Sequence, residues 1–380
     1  MARPLHVLHI ASTSQMGGAE RMTMEYIRNA DPSRVLPEVL SIMGPGHLTL
    51  LASQAGVVAN NWAMESLADP RLLRRMGKFL AAGHFDVIHC YGLRAELLTR
   101  WPAQRLGVPV ISAIHSVDPW RKFYHVWLDR MTAGGVTAWI AVADAVRQSR
   151  IRREHFPADR IHVIYNGVPD KKQPTGDDRN AARERLGLNR DTPTLVIIAN
   201  LRDAKGYPDL IEAVVELRKT RPDLVCLCAG RDDSNGAIPK LAAQRGVADS
   251  MRFLGFVSDT DELLAAADVA VLSSHWEGCP INILESMRAA RATVSTAVGG
   301  IPELIENEKS GLLVPPHEPG TLAAAIERLL ADPPLRDRLA QAARTRFEER
   351  FTIAKMVEDL TALYEHYACQ QKSQISIPKS

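Results

Sequence analysis

The stretch V-L-S-S-H-W-E-G-C-P-I-N-I-L-E-S-M-R-A-A-R-A-T-V-S-T-A-V-G-G-I-P, Val271–Pro302, predicts a strand, a loop and a helix in succession. The apolar run Asp268–Ser273 has the character of a strand, and Pro280–Ala290 has the composition of a helix with proline at its first position. Glu277 is therefore expected in the loop at the carboxyl end of a strand. Glu285 is expected about a turn and a half inside the helix.

The backbone amides of Gly278, Cys279 and their neighbours are expected to face the same crevice as these two carboxylates. Open α/β sheets bind ligands at the carboxyl ends of their strands. A helix N-terminus suits phosphate oxygens, and a carboxylate suits the paired hydroxyls of a ribose or a hexose. The stretch therefore predicts a site for a sugar nucleotide.

Composition is that of a soluble globular protein. The chain has 380 residues, 46% hydrophobic and 24% charged, which favours two domains with full cores. No apolar run approaches the length that spans a bilayer, and we expect no signal peptide, because the N-terminus leads directly into a predicted strand. The five cysteines are odd in number and lack zinc-ligand spacing. We therefore expect a cytoplasmic protein.

Charge is unevenly shared along the chain. Residues 1–168 carry 19 Lys/Arg against 13 Asp/Glu, and the remainder carries 27 against 31. Basic residues cluster in Arg71–Lys78 and Arg147–Arg153. These clusters are either solvated helix faces or contacts with anionic lipid headgroups at the inner face of the plasma membrane. Nucleic acid is not expected as a partner, because no aromatic-interleaved patch accompanies the charge.

Strand-like runs alternate with helical patterns in two series, which indicates two doubly wound α/β domains with parallel sheets. The first series comprises Leu5–Ala11, Asp86–Cys90, Val108–Ile114, Ala138–Val142 and Ile161–Ile164. The second comprises Thr194–Ala199, Leu224–Ala229, Met251–Phe256, Asp268–Ser273, Ala292–Thr296 and Leu312–Val314. We expect an N-terminal Rossmann-like domain at 1–168 and a linker at 169–190 that contains a short helix around Ala181–Leu188. A second Rossmann-like domain is expected at 191–350 and a frayed tail at 369–380.

Two further loops follow predicted strands. Gly17 and Gly18 stand at a strand-to-helix turn, where they form either a tight turn or a loop whose amides approach a phosphate. Arg202 and Lys205 stand in the loop after the first strand of the second domain, where two cations could neutralise a diphosphate leaving group. His115 ends an apolar strand, where a structural and a functional role are both open.

No spacing in the sequence indicates a metal site. Asp177-Asp178 and Asp232-Asp233 fall in polar loops, and neither forms a strand-end D-x-D arrangement. We therefore expect no metal and no cofactor beyond the substrates.

With these residues in view, the chain resembles the retaining glycosyltransferases of family 4, which have the GT-B architecture of two Rossmann-like domains facing across a cleft. The resemblance covers nearly the whole chain. It rests on G-G-A-E-R at Gly17–Arg21, D-V-I-H at Asp86–His89, G-V-P-V-I at Gly107–Ile111 with His115 following, I-Y-N-G-V at Ile164–Val168, Lys205-Gly206, E-G-C-P-I-N-I-L-E at Glu277–Glu285, V-G-G-I-P-E at Val298–Glu303, and S-G-L-L-V-P at Ser310–Pro315.

The resemblance implies a role for each matched residue. Glu285 would hold the nucleotide ribose, and Glu277 would contact the donor sugar. Lys205 would bind the diphosphate, and His115 would touch the donor sugar or orient the reacting groups. The remaining donor contacts would come from Gly17, Gly18, Gly278, Cys279 and Pro280. The first domain would bind the acceptor, completed by a C-terminal helix at about 353–368.

One position departs from the family pattern. Ala199-Asn200-Leu201 stands where the family has G-R-L, so the usual diphosphate arginine is Asn200. We hypothesise that Arg202 takes over the phosphate contact, with Asn200 lying beside the donor.

The resemblance implies transfer of a sugar from a UDP- or GDP-sugar to an acceptor hydroxyl with retention. The process would belong to envelope, capsule, lipopolysaccharide or exopolysaccharide synthesis. Front-face substitution is preferred over double displacement through Glu277, and no metal is required. The acceptor would be a saccharide or a lipid-linked saccharide, with a small molecule as runner-up. A nucleotide-sugar epimerase and a non-catalytic scaffold of a polysaccharide assembly complex stay open as alternatives.

Overall fold

The computed structural model describes residues 3–15, 17–63, 70–117 and 123–375. The chain divides into two compact units. The first comprises Met1–Pro169 together with Ile353–Ser380, and the second comprises Asp170–Thr352.

Each unit contains one sheet. The strands of the first unit are β1 (Leu5–Ala11), β2 (Val35–Ser41), β3 (Val58–Asn61), β4 (Val87–Tyr91), β5 (Val110–Ile114), β6 (Ala138–Ala141) and β7 (Ile161–Val163). The strands of the second unit are β8 (Thr194–Ile198), β9 (Val225–Ala229), β10 (Met251–Gly255), β11 (Val269–Leu272), β12 (Thr293–Thr296) and β13 (Leu312–Val314).

Helices separate most of the strands. Those of the first unit are α1 (Gly18–Asn29), α2 (His47–Gln54), α3 (Pro70–Gly83), α4 (Leu93–Leu106), α5 (Phe123–Thr132), α6 (Asp144–Glu154) and α15 (Ile353–Ile375). Those of the second unit are α7 (Gly176–Arg185), α8 (Tyr207–Leu217), α9 (Ala237–Gln244), α10 (Asp261–Ala266), α11 (Ile281–Arg288), α12 (Ile301–Leu304), α13 (Pro319–Ala331) and α14 (Pro333–Arg350). Among the described residues, no helix combines the length and the apolar character needed to cross a bilayer.

Both sheets are parallel and doubly wound, which confirms the predicted fold class. The strand order is β3-β2-β1-β4-β5-β6-β7 in the first unit and β10-β9-β8-β11-β12-β13 in the second. Strands such as β4, β5, β6 and β9 are buried throughout, because helices cover both faces of a parallel sheet. The strand order reverses between β1 and β4, and again between β8 and β11. Such reversal points are where open α/β sheets bind ligands.

The first sheet is wider than the sequence indicated. Strands β2 and β3 are absent from the predicted series. Pro37 lies inside β2, and proline normally argues against a strand because it cannot donate a ladder hydrogen bond. Here β3 pairs with β2 only from Glu38 onward, so Pro37 precedes that ladder. The edge strand β3 (V-A-N-N) is short and partly polar, which hides it from pattern recognition.

From Asp170 onward, the predicted linker belongs to the second unit. Its helix, α7, spans Gly176–Arg185 and so begins earlier than the predicted helix around Ala181–Leu188. Thr175 caps α7, accepting a hydrogen bond from the amide of Asp178 at 3.2 Å. α7 packs against α10, and Ala182 is fully buried there. The Arg183 guanidinium donates to the carbonyl of Ala266 at 2.7 Å. The charged composition that suggested a linker is therefore the polar side of a packed helix.

The predicted frayed tail is helical over most of its length. α15 continues to Ile375, because glutamine and lysine are good helix formers. Residues 376–380 of the predicted tail lie outside the described part of the chain. The helix is anchored in the first unit, where the Tyr364 hydroxyl contacts Nδ1 of His89 at 2.6 Å.

Candidate active site

Two oppositely charged side chains meet at the strand-order reversal of the second unit. Lys205 lies in the loop after β8 and Glu277 in the loop after the neighbouring strand β11. Nζ of Lys205 donates to Oε1 of Glu277 at 2.5 Å. Only 13% of the lysine side chain and 10% of the glutamate side chain are exposed. The pair therefore places a positive and a negative charge where solvent is largely excluded, and the electrostatic interactions of these charges are stronger there than in water.

Two serines at the end of β11 hold this pair, and sequence reasoning missed both. The hydroxyl of Ser274 donates to Oε1 of Glu277 at 2.6 Å, and that of Ser273 donates to the carbonyl of Lys205 at 2.9 Å. Their position could have indicated them, because both hydroxyls stand at a strand's carboxyl end, one and two residues before the sequence His275-Trp276-Glu277.

Close backbone approaches hold three loops together, those after β8, β11 and β12. Gly206 has φ +60°, and a Cβ there would lie 1.9 Å from the carbonyl oxygen of Ser273. Gly299 has φ +53°, and a Cβ there would lie 1.9 Å from the carbonyl oxygen of Glu277. The amide of His275 also donates to the carbonyl of Ala204 at 2.9 Å. Only glycine fits at these two positions, so the glycine turns place the carboxylate rather than merely bending the chain.

Glu285 lies in the second turn of α11 and is 2% exposed. Pro280 is the N-cap of this helix rather than its first residue, and Ile281 begins it. The correction has a physical basis, since the proline adopts the extended backbone typical of an N-cap, with ψ 122°. Asn282 donates to the carbonyl of Ile198 at 2.8 Å and so ties α11 to the end of β8.

Gly278 and Cys279 form the short turn between Glu277 and α11. Cys279 is buried, with 6% exposure, and the carbonyl of Gly278 accepts from the amide of Gly300 at 3.1 Å. The turn therefore packs against Gly299-Gly300, the glycine pair that precedes α12.

Asn200 and Arg202 occupy different environments in the loop after β8. The Asn200 side chain donates to Oδ2 of Asp233 at 3.2 Å and accepts from the amide of Arg231 at 3.1 Å. It therefore joins two loops at the same sheet edge. Arg202 is exposed and lies in the same loop as Lys205.

In the first unit, Gly17 and Gly18 are exposed at the start of α1. Gly17 is the N-cap, and its amide donates to Oε2 of Glu20 at 3.1 Å. Burial raises the pKa of Glu20. Gly17 and Gly18 therefore form a turn that caps α1, and contact of their amides with a phosphate stays a prediction.

His115 follows β5 and is half-buried, with its ring stacked on Tyr91 at a centroid distance of 5.9 Å. It borders an apolar pocket lined by side chains of α1, β4, β6 and α15. His89 is buried in β4, and desolvation lowers its pKa well below the usual value. His89 is therefore neutral and belongs to the core, whereas His115 stands at the end of its strand.

Two family models match nearly the whole chain. The model described as Glycosyltransferase Family 4 matches residues 16–172, and the model described as Glycosyl transferases group 1 matches residues 178–346.

Two similar proteins with glycosyl-transfer or sugar-synthesis names support the family assignment. Alpha-D-kanosaminyltransferase of Streptomyces kanamyceticus is 30% identical over 310 residues, 77% of this chain and 78% of the relative. Alpha-maltose-1-phosphate synthase of Mycolicibacterium smegmatis is 30% identical over 308 residues, 73% of this chain and 78% of the relative.

Solved structures share the fold. HepE of Anabaena in complex with UDP superposes with a TM-score of 0.85 at 21% identity, covering 95% of this chain and all of that one. A glycosyltransferase of Rickettsia africae gives a TM-score of 0.85 at 19% identity, covering 96% and 99%.

Three observations agree. The chain has two parallel α/β units, the second unit has a Lys-Glu pair at its strand-order reversal, and the family models match both halves of the chain. The chain belongs to glycosyltransferase family 4, has the GT-B fold and is a glycosyltransferase.

Proposed function

We propose that the chain transfers a glycosyl group from a UDP-sugar to an acceptor hydroxyl with retention at the anomeric carbon. The observation that carries this proposal is the Lys205–Glu277 pair, held by Ser274 at the strand-order reversal of the second unit. The bond from the anomeric carbon to the diphosphate breaks, and the bond to the acceptor oxygen forms on the same face. The acceptor proton passes to the departing phosphate.

Each charged group has a part in this step. Lys205 and Arg202 neutralise the charge that grows on the diphosphate. Glu277 holds hydroxyls of the donor sugar, and Glu285 holds the ribose. Oε1 of Glu277 already accepts hydrogen bonds from Lys205 and Ser274, which reduces its strength as a nucleophile. This favours front-face substitution over a covalent intermediate on Glu277.

The choice of a uridine nucleotide is supported by HepE, whose solved structures contain UDP, and UDP with glucose. No metal is assigned to the transfer step, because Lys205 and Arg202 supply the positive charge. For the acceptor we propose a saccharide or a lipid-linked saccharide, in envelope or exopolysaccharide synthesis.

Nucleotide binding tests the donor assignment. In calorimetry with chelator present, UDP should bind the wild type more tightly than GDP or ADP. Glu285→Ala should weaken UDP binding by about 10–100-fold, because a charge-assisted hydrogen bond to the ribose contributes about 1.5–3 kcal/mol.

Glu306→Ala is the matched control. Glu306 is a partly exposed glutamate of the same unit near the end of α12, in ion pairs with Arg346 and, at 3.4 Å, with Lys309. Its loss should leave UDP affinity unchanged. Equal UDP affinity in Glu285→Ala and wild type would remove the ribose contact. Absence of binding by all three nucleotides would remove the donor site itself.

We further propose peripheral contact with an anionic membrane at the cytoplasmic face, through a surface of the first unit. This helix surface comprises the exposed side chains of α3, α4 and α5, three helices of which α4 packs against both others. Its apolar members include Trp101, Phe123, Trp127 and Met131, exposed by 50%, 84%, 58% and 65%. Its basic members include Arg74, Lys78, Arg105 and Arg130.

Apolar side chains beside basic ones are typical of helices that lie in a lipid interface. Of the two basic clusters in the sequence, only Arg71–Lys78 contributes to this surface. Arg147 in the other cluster donates to the carbonyls of Ile161 and Ala158, and Arg150 is buried in an ion pair with Glu154. Those two arginines serve the packing of α6 and are unavailable to lipid headgroups.

Vesicle co-sedimentation tests the membrane contact. The wild type should bind phosphatidylglycerol vesicles and release them as salt is raised, and phosphatidylcholine vesicles should bind weakly. The double variant Phe123→Ser/Trp127→Ser should lose about tenfold or more in affinity, because each buried aromatic contributes about 1.5–3 kcal/mol.

Phe256→Ser is the control, since Phe256 is 77% exposed but belongs to the second unit. Equal binding to neutral and anionic vesicles, or an unchanged affinity of the double variant, would contradict this surface.

A further inference from the structure

Three potential metal ligands converge in the second unit beside the Lys205–Glu277 pair. Asp209 lies in the first turn of α8, His275 in the loop after β11, and His317 in the loop before α13. One ligand atom from each lies within 4.8 Å of the other two.

The individual distances are short. Nε2 of His275 lies 2.9 Å from Oδ2 of Asp209, and Nδ1 of His317 lies 3.8 Å from the same oxygen. The two imidazole rings have a centroid separation of 4.0 Å. Ligand atoms bound tetrahedrally at about 2.0–2.1 Å stand about 3.3–3.4 Å apart. An ion could therefore be accommodated by small side-chain movements.

The donor set selects the kind of ion. Two imidazole nitrogens and one carboxylate oxygen suit zinc and its neighbours among the transition metals. Magnesium and calcium prefer sites made of oxygen ligands. A tetrahedral ion would have three protein ligands and one open position. The side chain of His317 is 66% exposed, against 18% for His275 and 19% for Asp209, so the cluster is accessible from solvent on the His317 side.

Two of the three ligands have a constrained position. The amide of His275 donates to the carbonyl of Ala204, and a Cβ at Gly206 would lie 3.1 Å from Nε2 of the same histidine. Asp209 follows Gly206 in the first turn of α8, and its amide donates to the carbonyl of that glycine at 3.1 Å. The loops that hold Lys205 and Glu277 therefore also hold Asp209 and His275.

We propose that Asp209, His275 and His317 form a binding site for a divalent transition metal, with Zn²⁺ as the ion that the donor set fits best. The site is separate from the transfer step, which Lys205 and Arg202 serve without a metal. A bound ion joins three chain segments at one edge of the second sheet. The sequence did not indicate it, because 66 residues separate Asp209 from His275.

Zinc titration of untagged protein tests the proposal by calorimetry. The exposed thiol of Cys369 is a competing ligand, so the titrations use the Cys369→Ser background. The parent should bind one Zn²⁺ per chain. His317→Ala should bind at least about 10–100-fold more weakly, since even the loss of an outer-shell partner of a ligand costs that much. His275→Gln should lose affinity similarly.

His155→Ala is the matched control for His317→Ala. His155 is also an exposed histidine with a left-handed backbone, φ 55° against 61° for His317, and belongs to the first unit. Zinc affinity should be unchanged in this variant. Both histidine-to-alanine variants change exposed side chains, and a thermal melt verifies that each is folded.

Cobalt provides a second measurement. Co²⁺ bound to the parent should show the intense visible bands of a tetrahedral complex, absent in His317→Ala. Unchanged Zn²⁺ affinity in both His317→Ala and His275→Gln would overturn the proposal. So would the absence of binding by the parent at about 1 mM Zn²⁺, because this concentration largely saturates a site with a binding free energy of about 5 kcal/mol.

Discussion

Replacement of Glu277 by glutamine is expected to lower turnover by about 10²–10³-fold and to leave UDP affinity nearly unchanged. Glutamine keeps the shape and can still accept from Ser274 and Lys205, which lie 2.6 and 2.5 Å from Oε1. What it loses is the negative charge beside the reacting sugar. Positive charge develops on the anomeric carbon as the leaving phosphate departs, so the loss is felt in the transition state.

The measurement is kcat and KM with the donor varied, combined with UDP calorimetry. Glu327→Gln is the control, since it breaks the ion pair of Glu327 with Arg221 at 2.8 Å, in a part of the second unit formed by α8 and α13. It should change neither constant. Full turnover in Glu277→Gln would show that the charge of Glu277 plays no part in transfer. Accumulation of a sugar covalently bound to wild-type Glu277 would indicate double displacement in place of front-face substitution.

Removal of the Lys205 ammonium is the second large effect. Lys205→Ala should lower kcat by about 10²–10³-fold and also raise KM for the donor, because the diphosphate is charged before the reaction and more charged in the transition state. Arg202→Ala should produce a smaller loss of the same kind, since Arg202 is exposed and its field is screened by solvent.

Lys219→Ala is the control for both variants. Lys219 is an exposed lysine just after α8, paired with Glu216 at 2.5 Å, and its loss should leave both constants unchanged. Full activity in Arg202→Ala would show that this arginine does not replace the arginine of the family pattern. Wild-type kcat in Lys205→Ala would exclude a role for the lysine in stabilising the leaving group.

The two-unit organisation was predictable because parallel strands that are buried on both faces appear in the sequence as continuous apolar runs. The runs Leu5–Ala11 and Leu312–Val314 coincide with β1 and β13 in the structure. β2 and β3 were not predicted, because Pro37 and the polar pair Asn60-Asn61 interrupt the apolar pattern by which strands are identified. Their pairing with each other joins segments that are distant in sequence. The segment 170–190 was predicted to be a linker because its charged composition is typical of exposed chain, whereas the burial of Ala182 against α10 depends on the fold.

Within the candidate site, the residue types were predictable and their pairing was not. Glu277, Lys205 and the glycine turns could be named from motifs, since each stands just after a strand. Nothing local indicates that Lys205 contacts Glu277, 72 residues away, or that Ser274 shares the same oxygen. The engagement of Asn200 with Asp233 likewise joins two separate strand ends.

The sequence by itself determined the alternation of strands and helices, the family, and the chemical types available at each strand end. These depend on local periodicity and on motifs shorter than about ten residues. Only the tertiary structure decided which of these groups meet. Adjacency of β8 and β11 brings Lys205 to Glu277, and a 1.9 Å approach makes Gly299 part of the same site. Contacts between distant segments are set by sheet order and packing, which no local pattern specifies.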